Sequence, residues 1–228
     1  MKLLSRANTK TLKGEKYGYL TSILHLAPHN LSGYQVCPKA KTCVASCLNS
    51  AGRGKFDKVQ AARIRKTRYF FENRESFMID LFDDITKSIK YAKKRDLIPV
   101  FRLNGTSDIP WEKIRVKEYR NIFEAFPEVQ FYDYTKIPDR KYPANYHVTF
   151  SHDGINWEKS CRDSLYNGQN VAVVFDKIPE KFRGWPVIDG DNSDLRFLDK
   201  NTLPLGLIVG LKAKGNAKKD FSGFVVRS

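Results

Sequence analysis

With 228 residues, 41% of them hydrophobic and 13% aromatic, the chain is long enough to bury one sizeable core and too short for two large domains. Forty Lys and Arg against 25 Asp and Glu leave a formal charge of +15, too basic for a neutral surface, so nucleic acid or a nucleotide is the first partner expected and an anionic membrane the second. No run approaches the roughly 18 apolar residues of a membrane span, MKLLSRANTKTLKGEK holds no secretory core, and 14 Gly and 10 Pro among plentiful aromatics exclude disordered and collagen-like classes. A cytoplasmic protein without a membrane partner is expected, as a single domain over 1–228 with a short basic N-terminal arm.

In chain order, residues 19–26 (YLTSILHL) form an apolar, β-branched run suited to a buried strand, ended by Pro28 and the turn-prone 30–33. Helices are expected over 55–71 and over 74–95, where Phe77, Met78, Leu81, Phe82, Ile85, Ile89 and Ala92 recur at three- and four-residue steps. The chain then alternates: strand 99–104, helix 116–126, strands 129–135 and 147–151, helix 157–166, strand 170–175. The last third offers apolar runs at 186–189 and 205–212, bounded by Gly or Pro, and a short strand near Phe224. Short apolar strands alternating with amphipathic helices mark an α/β protein with a mainly parallel sheet, either doubly wound or a partial or complete barrel. In both, the site forms at the carboxyl ends of the strands.

Nearly every strand ends in polar residues. After the first comes a cysteine loop, then Asn104-Gly105-Thr106-Ser107-Asp108, Thr135-Lys136, Ser151-His152-Asp153, Asp176-Lys177 and Asp189-Gly190-Asp191. Part of this is turn and capping chemistry. The cysteines carry more: Cys37, Cys43 and Cys47 are spaced C-x5-C-x3-C, while Cys161 stands apart in the 157–166 helix. In a reducing compartment three close thiols point to metal or cluster ligands before a disulfide. A four-iron cubane bound by three thiolates keeps one iron open to a small ligand. Closed structural zinc would need a fourth ligand, for which His25, His29, His152 and Cys161 are candidates. Cys161 reads as a buried packing residue, and His25 and His147 as strand residues.

The runs CPKAKTCVASCLNSAGRGKF, VQAARIRKTRYFF, RLNGTSDIPWE, YDYTK, VIDGD, LRFLD and GLKAKG resemble the phage and mobile-element family known as gene product 88, from about Tyr17 onward. That resemblance implies a phage protein at work in the host cytoplasm and names no reaction. A looser resemblance is to the radical S-adenosylmethionine (radical SAM) superfamily, which places three cysteines after the first strand of a partial (β/α) barrel of about six mainly parallel strands. Its usual spacing is C-x3-C-x2-C, and the gaps here are longer. The resemblance implies that Cys37, Cys43 and Cys47 hold a 4Fe–4S cluster whose fourth iron is chelated by S-adenosylmethionine. Asn104, Gly105, Thr106 and Ser107 would face the methionine amino group, and Ser151, Asp189 and Asp191 would contact ribose or substrate.

Lys55, Lys58, Arg65 and Arg68 fall in one arc of the helix after the cysteine loop, with Arg53, Arg63 and Lys66 nearby. Arg53, Lys55, Lys58, Arg65 and Arg68 are the candidate phosphate-binding residues, since a polyanion gains affinity from released counterions. Trp111, Tyr132 and Tyr134 lie near strand ends and read as core or rim packing before base stacking. Three functions remain: an iron–sulfur, radical SAM-like enzyme modifying nucleic acid or a nucleotide; a zinc-stabilised nucleic-acid-binding protein; and a magnesium-dependent nuclease built on Asp189, Asp191 and Asp194.

Overall fold

The computed structural model describes residues 1–6, 13–199 and 204–227. The chain divides into two compact units: Met1–Cys37, Asp57–Asp133 and Lys141–His147 make the first, and Pro38–Phe56, Tyr134–Arg140 and Val148–Ser228 the second.

The first unit is built on β1 (Leu4–Ser5), β2 (Tyr19–Leu24), β3 (Ile98–Arg102) and the start of β4 (Gln130–Thr135). β2 runs parallel to β3 from Tyr19 opposite Ile98 to Ile23 opposite Arg102, and β3 parallel to β4 through Val100–Gln130 and Phe101–Phe131. Five of the six residues of β2 are buried, so the strand has apolar cover on both faces, as parallel strands require. Helices α1 (Asp57–Glu72) and α2 (Arg74–Lys93) follow it in the chain and pack on each other. α2 buries Phe77, Met78, Leu81, Ile85, Ser88 and Ala92, the stripe expected from the spacing, and packs on β3 and β1. Phe70 and Phe77 meet Trp111 at ring separations of 5.2 and 6.4 Å, closing the core above α1.

The second unit holds the rest of β5 (Tyr146–Ser151), then β6 (Val171–Phe175), β7 (Lys181–Phe182), β8 (Trp185–Asp189), β9 (Ile208–Lys212) and β10 (Val225–Val226). β6 takes β5, β9 and β10 as parallel partners, β8 pairs parallel with β9, and β7 forms an antiparallel hairpin with β8. Its core is Phe150, Trp157, Cys161, Leu165, Val171, Val173, Phe175 and Ile208. In the first unit β2, β3 and β4 lie side by side in chain order. In the second the order is β5, β6, β9, β8, so β9 inserts between β6 and β8 and the strand order turns back there.

The α/β class with a mostly parallel set of strands is therefore correct, with ten strands among the described residues in place of about six; the pairings among those residues show no closed barrel. The cysteine loop comes after β2, because β1 precedes it. The expected basic arm is in part this antiparallel edge strand: Leu3 and Leu4 N–H donate to Asp84 Oδ2 at 2.6 and 3.1 Å, and Lys66 Nζ donates to the Leu3 carbonyl. Positions 7–12 of that arm lie outside the described residues. The helix expected over 116–126 shrinks to α3 (Ile122–Ala125). Lys117 has φ +50°, and extended Asn121 caps Glu124 N–H with its side chain, so no helix can start earlier. The helix expected over 157–166 opens as one π turn, Trp157–Cys161, before α4 (Arg162–Tyr166). Among the described residues no helix is long and apolar enough to cross a membrane.

Candidate functional site

In the first unit, functional side chains gather at the carboxyl ends of β2 and β3. Cys37 is half-buried; its Sγ accepts the His29 N–H at 3.4 Å and lies 3.9 Å from the Thr106 carbonyl. Val36 binds this segment to the loop after β3, its carbonyl accepting the Asp108 N–H at 2.8 Å. Gly105 explains the closeness of the two strand ends. Its N–H donates to the Leu24 carbonyl, and an added Cβ would stand 2.6 Å from Ile23 Cγ2 and 2.7 Å from Leu24 O.

The polar run of this loop organises the loop itself. Asn104 Oδ1 accepts from Ser107 Oγ, Ile109 N–H and Trp111 Nε1 at 2.9 to 3.1 Å, and its amide donates to the Ile109 carbonyl. Thr106 Oγ1 donates to the Leu26 carbonyl. The side chains of Asn104, Thr106 and Ser107 are thus spent on folding. The N–H groups of Thr106 and Ser107 take no part in these bonds. Beneath the loop lies Asp133 on β4, fully buried, an acid that the sequence offers Arg102 as a partner. Its Oδ2 and Oδ1 accept the N–H groups of Leu103 and Asn104 at 3.0 Å, and the Tyr146 hydroxyl stands 3.3 Å from Oδ2. Burial pushes its carboxyl up to about 7, although Arg102 Nε at 3.7 Å and these donors favour the ionised form.

In the second unit, residues 42–55 fold as three short 3-10 turns carrying Cys43 and Cys47, both half-buried. Cys47 Sγ accepts the Asn49 N–H at 3.5 Å and caps the second turn. The Thr42 hydroxyl donates to the Asp153 carbonyl, which pins the Cys43 turn beyond β5. Next to Asp153, His152 is buried and its Nδ1 has no hydrogen-bond partner among the described residues; burial pushes its pKa down to about 4, leaving a neutral imidazole. Cys161 is a core thiol, driven up to about 12 by burial, with Sγ 3.3 Å from Asn156 Oδ1.

The other candidates hold turns, cores and surfaces. Ser151 is buried at the end of β5, its carbonyl accepting from Asn156 Nδ2. Asp189 accepts the Asp191 N–H, and Asp191 accepts the Lys212 N–H and pairs with Lys214 Nζ, so these acids fasten a turn. Asp194 is buried. Trp111 and Tyr132 are core residues, the latter's hydroxyl 3.4 Å from Thr21 Oγ1, and Tyr134 packs beside Ala172, Leu207 and Val209. Lys58, Arg65 and Arg68 are exposed on α1 in the first unit, where Arg68 Nε donates to the Ser32 carbonyl; Arg53 and Lys55 are exposed in the second. Among the described residues no group of three or more His, Cys, Asp or Glu is gathered closely enough to hold a metal ion.

The gene product 88 family matches residues 2–228, nearly the whole chain, in agreement with the resemblance seen in the sequence. No curated protein and no solved structure matches it.

Proposed function

For this chain, which belongs to the gene product 88 family, we propose an iron–sulfur enzyme of radical SAM-like type that modifies nucleic acid or a nucleotide, with Cys37, Cys43 and Cys47 as the cluster ligands. The observation that carries the reading is the state of the three thiols: none is held in a disulfide, all are half-buried, and Cys37 and Cys47 each accept a backbone N–H. Such N–H donors favour thiolate over thiol and tune the potential of a bound cluster. An all-sulfur donor set is soft and suits iron–sulfur chemistry, and ligands carried on short turns close around a metal as it binds. When bound, the cluster would supply a low-potential electron and S-adenosylmethionine the radical.

The chain's own residues prepare the place. The Asn104 hub fixes the loop after β3, and Gly105 lets that loop lie against β2. What this loop offers a cofactor carboxylate is backbone, the N–H groups of Thr106 and Ser107, in place of the side chains expected from sequence. Ser151, Asp189 and Asp191 would stand at strand ends toward ribose or substrate. Exposed Arg53, Lys55, Lys58, Arg65 and Arg68 would hold phosphate.

One observation favours a second reading. His152, neutral, buried and without a hydrogen-bond partner at Nδ1 among the described residues, has the chemistry of a zinc ligand, which suits a zinc-stabilised nucleic-acid-binding protein. Anaerobic purification followed by visible and spin-resonance spectra, before and after adding S-adenosylmethionine, decides between them. A cluster signal that changes with the cofactor is expected. An iron signal indifferent to it overturns the enzyme reading, and a colourless zinc protein replaces it with the second.

A further inference from the structure

The surface formed by residues 46–55 and 212–227 lies wholly within the second unit. The turn Leu48–Ser50 rests on the turn Gly215–Lys219, and Gly215, at φ +57°, approaches Ala51 so closely that an added Cβ would be 3.0 Å from the Ala51 Cβ. Asp220 locks the two segments together. Its buried carboxylate accepts the Ser46 and Ser222 hydroxyls at 2.9 and 2.8 Å and the Val225 N–H at 3.1 Å, while its carbonyl accepts Arg227 Nε and Nη2.

What this network holds out to solvent is an aromatic ring. Phe221 is 84% exposed, far more than an apolar side chain needs to be beside so well-bonded a neighbour, and the Arg227 guanidinium stacks on it at 4.3 Å. The same two segments carry exposed Arg53, Lys55, Lys212, Lys218 and Lys219, which form no ion pair among the described residues, whereas Lys214 pairs with Asp191 and Arg227 with Asp176 at 3.9 Å. Fixed cations bind any phosphate backbone. A rigid, exposed ring backed by a guanidinium adds a stacking platform, which only an unpaired base can use.

We propose that this surface binds single-stranded nucleic acid, with a base stacked on Phe221 and the backbone held by Lys218, Lys219 and their neighbours. The proposal rests on the nucleic-acid part of the function above and is independent of its metal. Fluorescence anisotropy with a labelled oligothymidine of about fifteen nucleotides, and with a mixed-sequence duplex of equal length, tests it at two salt concentrations on the full chain. Phe221→Ala is expected to weaken single-strand binding by about tenfold or more and to leave duplex binding unchanged. Lys218→Ala with Lys219→Ala should weaken both and flatten the salt dependence. A ring so exposed is removed without unfolding the chain, which an unchanged Tm verifies. Equal single-strand affinity for wild type and Phe221→Ala overturns this surface alone. Binding of neither probe by wild type overturns it together with the nucleic-acid reading.

Discussion

Replacing Asp133 by Asn tests whether the carboxylate under the Asn104 loop is buried as deeply as its geometry states. Burial raises this carboxyl from 3.8 to about 7. The folded protein therefore keeps a proton that the unfolded chain sheds from about pH 4 upward, so this group's contribution to stability falls as the pH climbs from about 4 to about 7 and is level above that. The full cost of ionisation is roughly 4 kcal/mol, of which less than half is incurred by about pH 5. Wild type thus loses about 2–3 kcal/mol between about pH 5 and about pH 8 through this residue alone. Asn cannot ionise, but it leaves one of the Leu103 and Asn104 N–H groups without an acceptor, at a cost of about 1–3 kcal/mol that does not depend on pH. Urea unfolding at the two pH values measures both effects. The variant should lie within about 1–2 kcal/mol of wild type at about pH 5 and be the more stable protein at about pH 8, by about 1–3 kcal/mol. The same difference between the two proteins at both pH values would refute the buried, proton-holding carboxyl.

Gly105→Ala forces a Cβ onto Ile23 Cγ2 and the Leu24 carbonyl, a backbone atom that cannot step aside, so a loss of about 1–3 kcal/mol and a Tm lower by several degrees are expected in thermal unfolding. An unchanged Tm would show that the β2 and β3 ends are not so closely apposed. Asp220→Ala removes the acceptor shared by Ser46, Ser222 and Val225 N–H, and limited proteolysis should then cut faster within 46–55 and 212–227. Burial works against ionisation of Asp220, but these hydrogen bonds outweigh it and hold the carboxyl below its usual range. Its stabilisation is accordingly present near neutral pH and is lost as the pH falls through the carboxylate range, when wild type should approach the variant's cutting rate. Cutting that is indifferent to the substitution would contradict the clasp.

Periodicity was enough to find α2, because Phe77, Met78, Leu81, Ile85 and Ala92 repeat on one helical face whatever lies opposite. It was enough for β3, β6 and β9 too, whose apolar runs suit strands covered on both sides. β1 and β7 are two residues each and carry no period. The truncation of α3 depends on a left-handed Lys117 that hydropathy does not register. The site shows the same divide. Spacing alone singled out Cys37, Cys43 and Cys47, yet it could not say that Asn104 spends its side chain on Ser107, Ile109 and Trp111, since that depends on how the loop curls back. YDYT gives no sign that Asp133 is enclosed by Leu103, Asn104 and Tyr146, because these come from other parts of the chain. The basic face of α1 was legible as a helix pattern. The surface around Phe221 was not, because it joins two segments far apart in sequence through Asp220 and Ser46.

Iron and acid-labile sulfide per chain, measured on anaerobically purified wild type and on Cys37→Ala with Cys43→Ala, test the proposed cluster most directly. About four irons and about four sulfides in wild type, with neither in the double variant, are expected. Iron retained in full by the double variant, or one zinc and no sulfide in wild type, would contradict it.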